Sequence, residues 1–274
     1  MKLPPEKAYA CIAKQLRAAV DLVQHAQPTS ELERLDSLYA DAVILPSWSI
    51  GSAMLTAHDA LDTLAFLIGA RRAPSHRRAH AALIREALTG TLTTLAVLAP
   101  GSKEVRDEAA RILLTLDTNS FRLAARDGAS VEGPEMAAVR KTSEDAKPRI
   151  EATLEQHKFK PPSGQRLGAT TLTDRGIDVF AALMAENLAP EWRDGEDLRT
   201  RLVPNLSSNA TWSWNTTSGL VHGFYWPEEV LKEGDVEGFM PAVCKAAELA
   251  AALASDAANL DAGYYQESLH AFHP

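Results

Sequence analysis

Cysteine, aromatic residues and long apolar runs are all scarce in this chain, and each shortage removes a class of protein. Two cysteines in 274 residues, Cys11 and Cys244, cannot build a disulfide framework or by themselves complete a zinc site. A reducing cytoplasm is the compartment this predicts. The most apolar stretches, 92–99 and 246–254, are short or interrupted by Glu248, whereas a bilayer-crossing helix needs about 20 apolar residues, so no membrane span is expected. Pro4, Pro5, Glu6 and Lys7 stand where an export signal would place its apolar segment. The phosphate-cradling Gly-x-x-x-x-Gly-Lys-Ser/Thr, the dinucleotide Gly-x-Gly-x-x-Gly and the nucleophile elbow Gly-x-Ser-x-Gly are missing, and no residue pattern calls for a cofactor. Strand-type alternation and internal repeats are missing as well.

What is present is charge of one sign and helical periodicity. The formal net charge is −8, and residues 227–274 hold nine acidic against two basic side chains, so most of the excess sits at that end. An acidic chain repels phosphate backbones, which disfavours broad DNA binding. Ala10, Ala13, Leu16, Val20 and Val23 recur at helical steps within 6–25. Pro28 ends that helix, and Ser30 with Glu33 forms a capping-box signature for the next. Further helices are expected over 50–70, 79–98, 102–126, 173–187, 196–202 and 241–264, with Ser102 capping the one after the Pro100-Gly101 break. Short links between long helices predict an all-α, multi-helix antiparallel bundle, read as a single helical domain over 1–274. A charged arm near 132–158 should kink at Pro148, followed by a basic loop near 158–172. Small residues through 246–260 suit a core or homo-oligomer helix.

Residues 205–226 form the unusual segment, holding three of the five tryptophans among serine, threonine and asparagine. If helical to His222, it brings Thr211, Asn215, Ser218 and His222 onto one face, with Trp214 beside them. Ser218 and His222 are then hydrogen-bonding neighbours, and Gly223 is a natural stop. Buried hydroxyls and imidazoles cost free energy when unpaired, so this face is either a ligand or reaction pocket or a network that fixes helix register. A second cluster, Arg71, Arg72, His76, Arg77, Arg78 and His80, offers Arg72, Arg77 and Arg78 to a phosphate or an acidic partner. The alternative is a solvated corner. His76 and His80 have the spacing of paired zinc ligands, but Arg77 replaces the glutamate of the metallopeptidase pattern and the arginines repel a cation, so no metal is assigned.

The Ser218-Gly-Leu-Val-His222-Gly223 ending resembles the Ser-x-x-x-His-Gly feature of HEPN-like helical proteins (higher eukaryotes and prokaryotes nucleotide-binding). Residues 85–124 are similar to the preceding helix pair of that group: Arg85-Glu86, a run of small and apolar residues, a Pro-Gly break, then Arg106 and Arg111. The resemblance implies a bundle that binds a protein partner or an RNA or nucleotide-like ligand, in a bacterial stress or phage-defence setting. HEPN ribonucleases carry an arginine shortly before the histidine, where this chain has Asn215, Thr216 and Thr217. A ribonuclease here would use His222 as base with Ser218 and Asn215 as neutral donors, and would draw its cation from Arg85, Arg106 or Arg111. A structural oligomerisation module is the third class.

Overall fold

A computed structural model describes residues 4–70, 77–99, 101–163, 167–168, 170–188, 207–208, 210–218, 221–222 and 239–265. Its helices are α1 (Pro5–Gln24), α2 (Glu31–Leu38), α3 (Pro46–Gly69), α4 (Arg77–Leu98), α5 (Lys103–Ala129), α6 (Ala137–His157) and α7 (Thr171–Leu188). The helical stretch 210–218 (α8) and α9 (Met240–Asn259) follow. The expected bundle is what the chain forms. The helix expected over 196–202 and the corner with Arg71, Arg72 and His76 lie outside the described residues.

α1 packs on α3 and α9, α3 on α4, and α4 on α7 and α9. Gly51 near the start of α3 faces Val23 late in α1, while Gly69 at its end faces Glu6, so α1 and α3 are antiparallel. Gly90 of α4 lies against Ala53 and Ala57 of α3, which reverses the chain again. The apolar faces meet in one core that includes Leu16, Val20, Leu61, Leu92 and Val243. α4 over Arg78–Leu98 is long and apolar enough to cross a membrane, with mean hydropathy 1.3, yet 67% of that window is buried inside the bundle. Core packing accounts for its composition.

Local chemistry sets the ends of the helices. Ser30 Oγ accepts from the Glu33 amide and Ser102 Oγ from the Val105 amide, each at 3.3 Å, as their spacing predicts. α3 begins at Pro46, four residues earlier than the apolar pattern indicates. Leu45 cannot cap it, but Asp36 can: its carboxylate accepts from the Ser47 amide at 2.9 Å and the Ser47 hydroxyl at 2.5 Å. The expected kink at Pro148 does not break α6, which runs continuously past it. Pro148 is on the exposed side, where water can satisfy the carbonyl its missing amide abandons.

α9 was expected to run to residue 264 and instead stops at Asn259, with Leu260 extended. The chain there turns to meet the α1–α2 loop: the Gln27 amide donates to the Ala258 carbonyl and the Ala262 amide to the Thr29 carbonyl, both at 2.8 Å. Thr29 has φ +72°, an unfavourable conformation for a β-branched residue that these bonds hold in place. The outlying pair is α5 with α6, antiparallel helices with a small core of Val43, Ala125, Ile150 and Leu154. Val43 donates to Thr153 Oγ1 at 2.9 Å and His157 pairs with Asp41 at 2.8 Å, fastening α6 to the loop between α2 and α3.

Candidate functional site

α8 is built from poor helix formers, so tertiary packing must hold it. Ala210, Ser213, Thr216 and Thr217 are its buried residues. Thr217 Oγ1 donates back to the Ser213 and Trp214 carbonyls at 2.9 and 3.0 Å, which satisfies a buried hydroxyl within the helix itself. Thr211, Asn215 and His222 are exposed and Ser218 is half-buried. The face that the sequence groups together therefore points outward, and the closest-packed hydroxyls are its neighbours on the other side. The His222 amide donates to the Ser218 carbonyl at 3.0 Å, and His222 is exposed.

Trp214 sits three residues after Thr211 and four before Ser218, so it borders this outward stripe. It also joins α8 to α4. The indole Nε1 donates to Thr89 Oγ1 at 3.3 Å, and the Arg85 guanidinium carbon lies 5.8 Å from the ring centroid, within cation–π range. Arg85 and Thr89 are four apart on α4 and share a face. The Arg85 side chain is 25% exposed, with Nη1 3.7 Å from the half-exposed Glu86 carboxylate. Its Nε is buried without a hydrogen-bond partner among the described residues. The structure thus brings Arg85 against Trp214, and Thr211, Asn215 and Ser218 lie on the same helix as that tryptophan. Thr89 completes the contact, and only its four-residue spacing from Arg85 signals it in the sequence.

The other two arginines of the sequence reading are elsewhere. Arg106 is wholly buried, its Nε donating at 2.8 Å to Glu31 Oε1 on a carboxylate that is itself 1% exposed. Arg34 closes on both oxygens of Glu31 and reaches Asp107 at 2.6 Å. Burial pushes the Glu31 carboxyl up, but Arg34 and Arg106 outweigh it and hold it below its ordinary value. Tyr265, 1% exposed, lies under the Arg106 guanidinium at 5.6 Å and donates from its hydroxyl to the Leu98 carbonyl at 2.7 Å. Arg111 is on the exposed side of α5, beside the Tyr39 hydroxyl. Arg78 is exposed at the start of α4; Arg77 opens that helix, and Arg72 falls outside the described residues.

No protein-family model, curated protein or solved structure gives a significant match to the chain.

Proposed function

We infer that this is a HEPN-like bundle protein of the cytoplasm, acting in bacterial stress or phage defence, that binds a nucleotide-like ligand at the face shared by α4 and α8. The observation that carries the reading is the Arg85–Trp214 stack beside an outward stripe of hydroxyl, amide and imidazole groups. A guanidinium laid over an indole keeps a preferred orientation, and its fork of N–H donors suits a phosphate. Thr211, Asn215 and Ser218 offer neutral donors and acceptors to a sugar or base edge, and His222 stands at the end of the same stripe.

Calorimetric titration of the full chain with adenosine monophosphate and with adenosine tests this at low salt, where screening is least. The expected result is saturable binding of the nucleotide, weaker binding of the nucleoside, and loss of the difference in Arg85→Ala. Equal binding of the two, or no binding, overturns the phosphate role of Arg85.

The exposure of His222 four residues beyond Ser218 favours one second reading, a ribonuclease with His222 as general base and Arg85 as the cation that stabilises the transition state. Cleavage of a mixed RNA pool by the wild type and not by His222→Ala, with both equally folded, supports it. Indistinguishable cleavage by the two removes His222 from the chemistry.

A further inference from the structure

The α5–α6 hairpin carries a cleft of about 570 Å³ that the α4–α8 face does not use. Two pinch points frame it. Near the tip, Gly128 lies so close to Ser143 that a Cβ there would collide with the hydroxyl; towards the base, the Phe159 amide donates to Thr115 Oγ1 at 2.8 Å. Between them lie the Ala125, Ile150 and Leu154 contacts of the small core, and the cleft lies beside them. Ala125 and Ile150 are buried at its floor, Ala129 is half-buried, and Leu123 stands at the mouth 50% exposed. The volume lies within the range of about 300–1,000 Å³ usual for small-molecule sites, which are mostly apolar with a few fixed polar groups.

The charges around this cleft are unevenly placed. Arg122 and Arg126 are one helical turn apart on α5, and no acidic residue of α5 lines the cleft. On α6, Lys147 lies between Glu144 and Glu151, three residues after one and four before the other, so its charge is met along its own helix and the α6 wall keeps one carboxylate in excess. The α5 wall therefore presents a pair of cations above an apolar floor. Arg126 pairs with Asp127 at 2.9 Å, but both side chains are more than two-thirds exposed, and such a surface pair is weak.

We propose that this cleft binds an amphipathic anion, an acyl chain carrying a single carboxylate or phosphate head. The chain lies on Ala125, Ala129 and Ile150 and covers Leu123, and the head meets Arg122 and Arg126 by charge-assisted hydrogen bonds.

The test is calorimetry on the full chain with dodecanoate and dodecyl phosphate, each below its micelle concentration, beside dodecyltrimethylammonium as the oppositely charged control. Both anions are expected to bind saturably at one site, and the better of the two identifies the head group. Arg122→Glu with Arg126→Glu should weaken binding at least about tenfold, as expected when two charge-assisted contacts are reversed. Ala129→Phe should block the cleft, and circular-dichroism melts establish that each variant is folded. No saturable binding of either anion overturns the proposal. So does equal binding of the cationic control, or affinity unchanged in both variants, which would leave the wild-type signal as non-specific adsorption.

Discussion

Arg85 and Arg106 begin from the same place in the sequence, as cations on neighbouring helices either of which could complete a site with His222, and the fold gives them opposite environments. Arg106 is sealed against Glu31 and Tyr265, between the start of α2, the start of α5 and the residues after α9. Arg85 lies partly open over Trp214. A buried arginine whose charge is matched by a buried carboxylate holds helices together, and its charge is spent on that contact. A partly exposed arginine stacked on an aromatic ring is oriented yet still able to meet an incoming anion. Sequence position does not distinguish them; burial and partner do.

The largest way to break this contrast is Arg106→Ala. It removes one of the two arginines on the buried Glu31 carboxylate and leaves Arg34 to hold it alone; losing a member of a buried charge network costs about 3 kcal/mol, and urea unfolding should show the midpoint fall. Glu31→Leu combined with Arg106→Met should recover much of that loss, because a packed apolar pair avoids the desolvation penalty, while Arg34 keeps Asp107. A double variant as unstable as the single one would mean that the Arg106–Glu31 ion pair itself, and not the half-compensated carboxylate, supports the fold.

Gly90→Ala and Gly176→Ala test whether α4 is the fixed frame that sets Arg85 in place. A Cβ at residue 90 would strike the Ala53 carbonyl, and one at residue 176 the Leu92 carbonyl of α4. Each is expected to lower unfolding free energy by about 1–3 kcal/mol, as overpacking does, and Gly90→Ala should weaken ligand binding too by displacing α4. Unchanged stability in both would show that these helices can separate freely.

Acid should act on the Arg106 region first. The Glu31 carboxyl is held below its ordinary value by Arg34 and Arg106, so its contribution is present above the unfolded-state pKa and is lost as the pH falls through the lower folded value. Asp36 and Asp117 have the opposite sign. Burial is the main cause raising each of them, so they favour folding most when protonated and favour it less as the pH rises through their folded values. Asp117→Asn should therefore hold or gain stability at neutral pH, measured by urea unfolding, whereas Glu31→Gln should lose it.

The smallest expected effect is at Thr29. Replacing it with glycine relieves a positive φ without removing the Ala262 amide–carbonyl bond. The gain should be about 1 kcal/mol at most, because glycine also makes the unfolded chain more flexible. A loss in melting temperature would show that the Thr29 side chain, and not only its backbone, secures the C-terminal turn.

The bundle was legible in the sequence because its evidence is local. Three- and four-residue apolar spacing, the Ser30 and Ser102 caps and short proline- or glycine-marked links all act within a few residues of where they occur. What was not legible depends on distant parts of the chain. Asp36 caps a helix eleven residues away, Pro148 is tolerated because its side of α6 faces solvent, and α9 ends where the Thr29 loop captures it. At the candidate site, the stripe through Thr211, Asn215, Ser218 and His222 could be read from helical spacing, but its outward orientation could not. That orientation follows from Ser213, Thr216 and Thr217 packing inward, and no local rule ranks one hydroxyl face of such a helix above the other. The pairing of Arg85 with Trp214 across 129 positions is likewise a product of the fold.

The division between the two arginines can be tested most directly by measuring adenosine monophosphate affinity and urea midpoint side by side for Arg85→Ala and Arg106→Ala. Arg85→Ala should lower the midpoint less than Arg106→Ala does, since a cation–π contact at a partly buried site contributes about 1–2 kcal/mol, and should lose phosphate-dependent binding. Arg106→Ala should lose stability and, under conditions where it remains folded, still bind the nucleotide. If Arg85→Ala binds as the wild type does, or destabilises the fold as severely as Arg106→Ala, the ligand role given to the α4–α8 face is wrong.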